Sequence, residues 1–514
     1  MRRTHAVFML LLAVLAAGCA PTSAPDAGGA TPRAGGSVTV AMQYDMTNLD
    51  PAVFTSVTDQ QIGGSIYDGL VRYRLGGTEI EPALAEKWTV SVDGKTYTFT
   101  LRGDAVFHKD YGPVRSSDVK FTIERLKDPA LKSPWAALYR SVTRIDTPDE
   151  RTVTVTLSAA DTSFLVTLAG SSGFVQSERA HKERGSKYAY DPIGTGAFVF
   201  DRWTPQVELV LLRNPTWWGG RVKLDQVVYR PIPDPSTMYA AFDAGDVDLI
   251  QVTDPDRYER YRSDPNVTLS EKAGLITRFV GMNSRIAPFD KKEVREAVVY
   301  AIDRPALIKG LFAGMSEPAV GPVAPGVDAY TKELTDRTYN PARAKELLAK
   351  AGLADGFRTT FFVPNIDRFT KPATVIQQSL EAVGIKAEIK IVTPGALLAA
   401  IGKGEAPLFT LSRGQEPLAD GLFYTWFHSK SFPPGQNFAY INDRELDGWI
   451  EAFRDSSDRA RRAALAKQIQ QRVLDGAFYV FIDHEKHVFA VRKNVKGYVV
   501  DPFRSLKLWP VSRS

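Results

Sequence analysis

Pro192-Ile193-Gly194-Thr195-Gly196-Ala197-Phe198, followed by Arg213-Asn214-Pro215-Thr216-Trp217-Trp218-Gly219-Gly220, is the stretch on which the reading of this chain turns. Two glycines flanking a threonine suggest a phosphate-binding loop. The lysine and following hydroxyl residue that would hold a phosphate are missing, so the segment is read as a tight backbone turn. Pro215 and Gly219 frame Trp217-Trp218 as a second structural turn. Its indoles are expected to pack against the protein body, with a stacking platform for a ligand as the alternative.

Outward from this stretch, strand and helix patterns alternate. Val38 and Val40 share one face of a strand beginning at Ser37, and Val153, Val155 and Leu157 share one face of another. Trp88 to Leu101 reads as a hairpin turned at Asp93-Gly94. Ser116 or Ser117 is placed to cap a helix carrying Val119, Ile123 and Leu126. Asp290 with Glu293 forms an acidic variant of a capping box. Asn340-Pro341 opens a helix whose Ala344, Leu347, Leu348 and Ala351 form one stripe, ended by Gly352. Residues 451–473 read as one or two surface helices. The chain is therefore of mixed α/β class, and its 514 residues allow two or three domains.

The ends speak to location. Arg2 and Arg3 precede the apolar run Ala6 to Leu15, which is shorter than the ~20 residues a spanning helix needs. Residues 1–18 are read as a signal peptide. Cys19 is the single cysteine, and Leu15-Ala16-Ala17-Gly18-Cys19 resembles the lipobox of bacterial lipoproteins, which implies lipidation of Cys19. Residues 19–36 have the Ala, Pro, Gly, Ser and Thr content of a flexible linker. Loss of Arg2 and Arg3 lowers the formal charge from +5 by two, leaving no nucleic-acid footprint.

The chain resembles the extracellular solute-binding proteins of the dipeptide, oligopeptide and nickel ABC importers, family 5. The likeness is an ordered series of short motifs. It includes Leu49-Asp50-Pro51-Ala52, Ile66-Tyr67-Asp68-Gly69-Leu70-Val71, Pro82-Ala83-Leu84-Ala85-Glu86-Lys87-Trp88 and residues 93–102. The Gly194 and Trp217 stretches, Asp246-Val247-Asp248, Val294-Arg295-Glu296-Ala297, Ala301-Ile302-Asp303-Arg304, Asn437-Phe438 and Val495-Lys496-Gly497-Tyr498 continue it. The resemblance implies a two-lobed fold with an extra subdomain inserted in the first lobe. Residues 37–53, 188–269 and 488–514 would form lobe one, 54–187 the insert, and 270–487 lobe two. Crossings are expected near residues 271–283 and 477–487. The implied partners are a small solute, permease subunits and, through Cys19, a membrane, for a monomer outside the cytoplasm.

The family's peptide binders hold the ligand ammonium on an aspartate in a Trp-x-x-Asp-Tyr-like segment. Here the matching stretch is Leu411-Ser412-Arg413-Gly414-Gln415-Glu416-Pro417, ending at Tyr424-Thr425-Trp426-Phe427. Alignment on Pro417 puts Gln415 at the aspartate and Ser412 at the tryptophan. A neutral amide cannot neutralise an ammonium, whereas Arg413 offers a fork for a carboxylate or phosphate. Arg413 and Gln415 are therefore the expected specificity residues, for an anionic ligand. A one-residue shift would instead give Glu416 the acid role. Phe54, Thr55, Tyr424, Trp426 and Arg368 are further lining candidates. A peptide, a non-peptide anion and a chelated metal all stay open as ligand.

His484 and His487 follow a strand-like run, where residues three apart point to opposite faces, so no protein-built metal site is expected. No nucleophile elbow or second cysteine supports catalysis. No cofactor is called for. A sensing receptor and a secreted hydrolase are the alternative functions.

Overall fold

The computed structural model describes residues 35–514; the signal-peptide, Cys19 and most of the linker expectations lie outside the described residues. Strand Ser37–Met42 alternates as expected, and it pairs in parallel with Gln226–Pro231 and with Leu249–Gln251. Gln226–Pro231 continues antiparallel into Glu208–Arg213 and then Phe198–Thr204. On the other side, Leu249–Gln251 pairs with the long strand Tyr479–Arg492, which pairs in turn with Val267–Met282. Beyond it stand Leu408–Gly414, Phe357–Pro364 and Ile385–Val392. One eleven-stranded sheet thus runs through the molecule.

The two long strands join its halves. Val267–Met282 has 16 residues and Tyr479–Arg492 has 14. Their register shifts between Ala273 and Thr277 and again after Arg278, a bulge that bends the ribbon. Buried side chains divide accordingly. One core gathers residues from Val38 to Tyr229 together with Phe489 to Val511, and two others draw on residues from Leu275 to Ile482. A separate four-stranded antiparallel sheet (Ala85–Val90, Thr96–Leu101, Thr152–Leu157, Val142–Asp146) is covered by helix Ser116–Lys127 and shares the first core. Mixed parallel and antiparallel strands with helices on the faces make this a two-lobed α/β protein.

Local expectations meet the structure unevenly. Asn340 accepts a hydrogen bond from Arg343 N at 3.0 Å and caps helix Pro341–Lys350, which buries Ala344, Leu347 and Leu348. Residues 451–473 fall in two helices, Arg444–Asp455 and Arg459–Asp475, capped by Asp443 and Asp458. The capping box at Asp290 is corrected: the helix begins at Lys292 after Lys291, with no side-chain cap. A turn closed by Lys291 N on Pro288 O precedes it, and Arg295 holds that turn by donating to the carbonyls of Phe289 and Asp290.

Candidate functional site

A cleft of about 1710 Å³ opens between the lobes. Its first wall begins at helix Val57–Ile66, whose cap Ser56 accepts from Asp59 N. This sets Gln60, Gln61 and Gly64 on the cleft side. Strand Val71–Tyr73, the C-terminal segment 503–509 and residues between Trp135 and Phe174 continue that wall. The opposite wall is the stretch from Gly414 to Trp426. Helix Ala419–Phe427 there is anchored by Asp328, which accepts from Ala419 N at 2.8 Å.

Aromatic stacking gives the first wall its shape. Phe503 lies on Tyr73 with centroids 4.3 Å apart, and Phe174 on Tyr67 at 5.8 Å. Trp217 reaches the cleft and packs on Trp509 at 5.5 Å. Trp217 and Trp218 both donate to Asp68 Oδ2, at 3.3 and 2.8 Å, and Thr195 donates to the same oxygen at 3.1 Å. The tryptophan pair packs against the protein body, and Trp217, though buried, is among the residues that line the cleft. Burial nevertheless pushes the Asp68 carboxyl up, against those donors and Arg72. The Gly194-Thr195-Gly196 segment is a close-packed turn. A Cβ on Gly194 would stand 2.0 Å from Ile66 O, and one on Gly196 would stand 2.7 Å from it.

The expected specificity residues separate. Gln415 lines the wall, but both its amide nitrogen and its oxygen are held by protein. Nε2 donates to Thr277 Oγ1 at 2.7 Å and Pro322 O at 2.8 Å, and Oε1 accepts from Ala324 N at 2.9 Å. Arg413 is not among the cleft-lining residues. Its guanidinium lies 4.5 Å from the Trp426 ring centroid and 4.8 Å from that of Phe438, and donates to Gln436 O at 3.0 Å. Burial there pulls its pKa down to about 10. The anion fork read from sequence is thus spent inside lobe two.

Glu416 is in the cleft with its side chain open to solvent. The neighbouring protein still removes part of its solvation, which raises its carboxyl pKa. Its charge reaches across the cleft to raise the Tyr73 hydroxyl, after burial as the larger cause. Tyr424 and Trp426 also line this wall. Phe54 and Thr55 do not: Phe54 is buried edge-on to Phe174, and exposed Thr55 gives its carbonyl to Gln60. Arg368 sits in helix Asp367–Glu381, outside the cleft lining, 3.9 Å from Glu485.

Other charges in the lining are engaged or at the rim. Asp420 is paired with Arg462 at 2.7 Å, Arg72 with Glu81 at 2.8 Å, and Lys507 donates to Tyr73 O at 3.0 Å. Arg140, Arg454 and Asp455 are exposed. Arg504 is inside and makes no ion pair among the described residues; burial lowers its pKa, and Glu485 and Arg368 are the charges it feels. Asp68, Tyr73, Arg504 and Lys507 were missed from sequence. Only Asp68 carried a signal, its place in the Tyr67-Asp68-Gly69 motif.

His484 and His487 point apart, as strand geometry requires. His484 Nδ1 meets Thr277 Oγ1 at 3.0 Å, and His487 Nε2 meets Pro502 O at 3.2 Å. Burial lowers them to about 4 and about 3. Among the described residues no helix is long and apolar enough to cross a membrane.

Residues 79–433 match the family described as bacterial extracellular solute-binding proteins, family 5 Middle. A glutathione-binding protein GsiB of Escherichia coli O6:K15:H31 is 31% identical over 479 residues, covering 91% of this chain and 92% of that one. Heme-binding protein A of Haemophilus influenzae is 31% identical over 471 residues, 85% of each chain. Among solved structures, the periplasmic binding protein DppA of Helicobacter pylori, in complex with peptide STSA, superimposes with a TM-score of 0.76. It is 30% identical, covering 94% of this chain and 98% of that one.

Proposed function

The chain belongs to the family 5 bacterial extracellular solute-binding proteins, the solute-binding components of ABC importers, and on that premise we propose that it captures a peptide-like solute by its ammonium group. Glu416 is the observation that carries this reading. It is a carboxylate in the cleft wall, without an ion pair among the described residues, beside the amide that takes the family aspartate's aligned place. A ligand ammonium would supply the partner that a partly desolvated carboxylate needs. The closing units are residues 37–53, 188–269 and 488–514 against 270–487, with 54–187 carried on the first. A monomer tethered at lipidated Cys19 would deliver the solute to permease subunits. No chemistry on the solute is involved.

Heme is the second reading, favoured by the relative that bears that name and by an aromatic cleft larger than the ~300–1,000 Å³ of ordinary small-molecule pockets. The cleft lining includes no His, Cys or Met for an axial iron bond, although tyrosines are present. Peptide is therefore preferred.

The test is native mass spectrometry of the protein lacking residues 1–19, then calorimetric titration with short peptides, glutathione and heme. Peptides with a free amine should bind, and Glu416→Gln should weaken them at least ~10-fold, since truncating one partner of such a charge pair costs about 2–5 kcal/mol. Binding of heme alone, or peptide affinity indifferent to Glu416→Gln, would overturn the reading. A Cys19→Ser variant should lose radiolabelled palmitate incorporation.

A further inference from the structure

The C-terminal segment on the first wall carries a cation, Arg504, that makes no ion pair among the described residues and sits in a tightly hydrogen-bonded turn. Asp501 is buried, and one of its oxygens accepts from Phe503 N at 3.0 Å and from Ser505 N at 2.9 Å, while the other receives the Ser505 hydroxyl. Arg504 N closes the turn on Asp501 O. Gln61 Nε2 donates to Arg504 O at 2.6 Å, which ties the turn to helix Val57–Ile66. Within it Arg504 adopts a left-handed φ of 62°, a conformation unfavourable for a long side chain. Surrounding bonds that over-determine a strained residue are common where its position has a use.

The neighbouring charges leave Arg504 in surplus. Behind it, in the hinge strands, Asp483 lies 3.5 Å from Arg278, and Glu485 lies 3.7 Å from Arg278 and 3.9 Å from Arg368. Three guanidinium groups thus share two carboxylates: the contacts to Arg278 and Arg368 are long, with no hydrogen bond to Asp483 or to Glu485 Oε2, and Arg504 makes no ion pair with either acid among the described residues. Arg504 is the guanidinium that lines the cleft. Glu416, which makes no ion pair among the described residues, stands on the opposite wall.

From this arrangement we infer that Arg504 is the seat of a solute carboxylate, so that the cleft selects zwitterions whose ammonium meets Glu416 of one lobe and whose carboxylate meets Arg504 of the other. The inference rests on the peptide-like reading above. It assigns specificity to both ends of the solute and makes closure depend on them. A solute spanning both poles contacts both lobes, which is the differential contact that favours a closed form. A guanidinium suits this task, since its planar fork receives a carboxylate through two parallel bonds.

The experiment uses a mixture of three- to five-residue peptides as free acids and the same mixture amidated at the C-terminus, both with free amines. Binding is read by native mass spectrometry and thermal shift. The wild-type protein should retain acids at least ~10-fold better than amides, a margin of one tenfold step per 1.4 kcal/mol. Arg504→Ala should lose that preference while still retaining amides, and Arg504→Lys should keep part of it. An unliganded melting temperature close to wild type would show that the fold survives the substitution. If wild type holds amides as well as acids, or if Arg504→Ala keeps the preference, the assignment to Arg504 fails while peptide capture stands. If wild type takes neither mixture, both readings fall together.

Discussion

The hydroxyl of Thr78 donates to the carbonyl oxygen of Gly326 at 2.9 Å, joining a loop of the first lobe to one packed in the core of the second. Thr78 and Gly326 line a cavity beside the two long strands, with Lys272, Ala273 and Lys486, and the bond favours the arrangement in which the two loops touch. Being solvent-exposed, it should contribute about 0.5–1.5 kcal/mol. Thr78→Val keeps the shape and removes the donor. Solute affinity should fall roughly twofold to tenfold, and the unliganded protein should show a larger radius of gyration in solution scattering. An unchanged affinity and radius would make the contact incidental to closure.

His108 should make the protein acid-sensitive through its tautomer. Its Nε2 donates to Gly196 O at 3.0 Å, while Nδ1 accepts from Gly194 N at 3.3 Å, so a second proton would displace that donor. Burial, partly offset by the Gly196 bond, lowers its pKa to about 4 from an ordinary 6.5. With the native pKa below the unfolded one, the unfolded chain takes the proton first as pH falls. The stability His108 contributes is complete above about pH 6.5 and is lost progressively down to about pH 4. The destabilisation caused by His108→Gln should therefore be about 2 kcal/mol smaller at pH 5 than at pH 7.5 in urea unfolding. A gap independent of pH would mean the ring titrates alike in both states.

Much of this fold was legible because its signals are local. Val38 and Val40 alternate within one strand, and Asn340 caps a helix starting at the next residue. The cleft wall at 415–426 was legible from Pro417 and the aromatic run Tyr424 to Phe427. What Arg413 does was not, because its surroundings come from Trp426, Gln436 and Phe438 on other segments. Arg504 was further out of reach. It enters the site by folding back onto Gln61 across 443 positions, and nothing in Pro502 to Lys507 marks a binding segment. At Asp290 local pattern misled, since Arg295 fixes a turn where the motif suggested a cap.

Glu416 should give solute binding a pH dependence of its own. Lost solvation raises its carboxyl, so it accepts a proton at higher pH than an ordinary glutamate. A protonated carboxyl no longer attracts an ammonium, so affinity for amine-bearing peptides should fall as pH drops from neutral into the acid range. Calorimetry at pH 7.5 and pH 5 should show weaker binding at the lower pH in wild type and a much flatter response in Glu416→Gln. Equal slopes in the two proteins would assign the titration to another group.

Gln415 presents the sharpest contrast between sequence position and structural role. Its amide bridges strand Val267–Met282, through Thr277, to Pro322 and Ala324, and Thr277 Oγ1 in turn meets His484. Both amide hydrogens are donated to protein and Oε1 already accepts from Ala324 N, so no donor is left for a solute. Gln415→Leu would strand Ala324 N and remove two donors, at a cost of about 1–3 kcal/mol for each buried group left unsatisfied. Gln415→Glu would do no better as an ammonium site, since a carboxylate would confront the Pro322 carbonyl in place of a donor. Both variants should lower the melting temperature while leaving the ranking of solutes unchanged. A variant with wild-type stability but altered solute ranking would show instead that this side chain turns to the ligand, and would return the family's aligned position to the binding site.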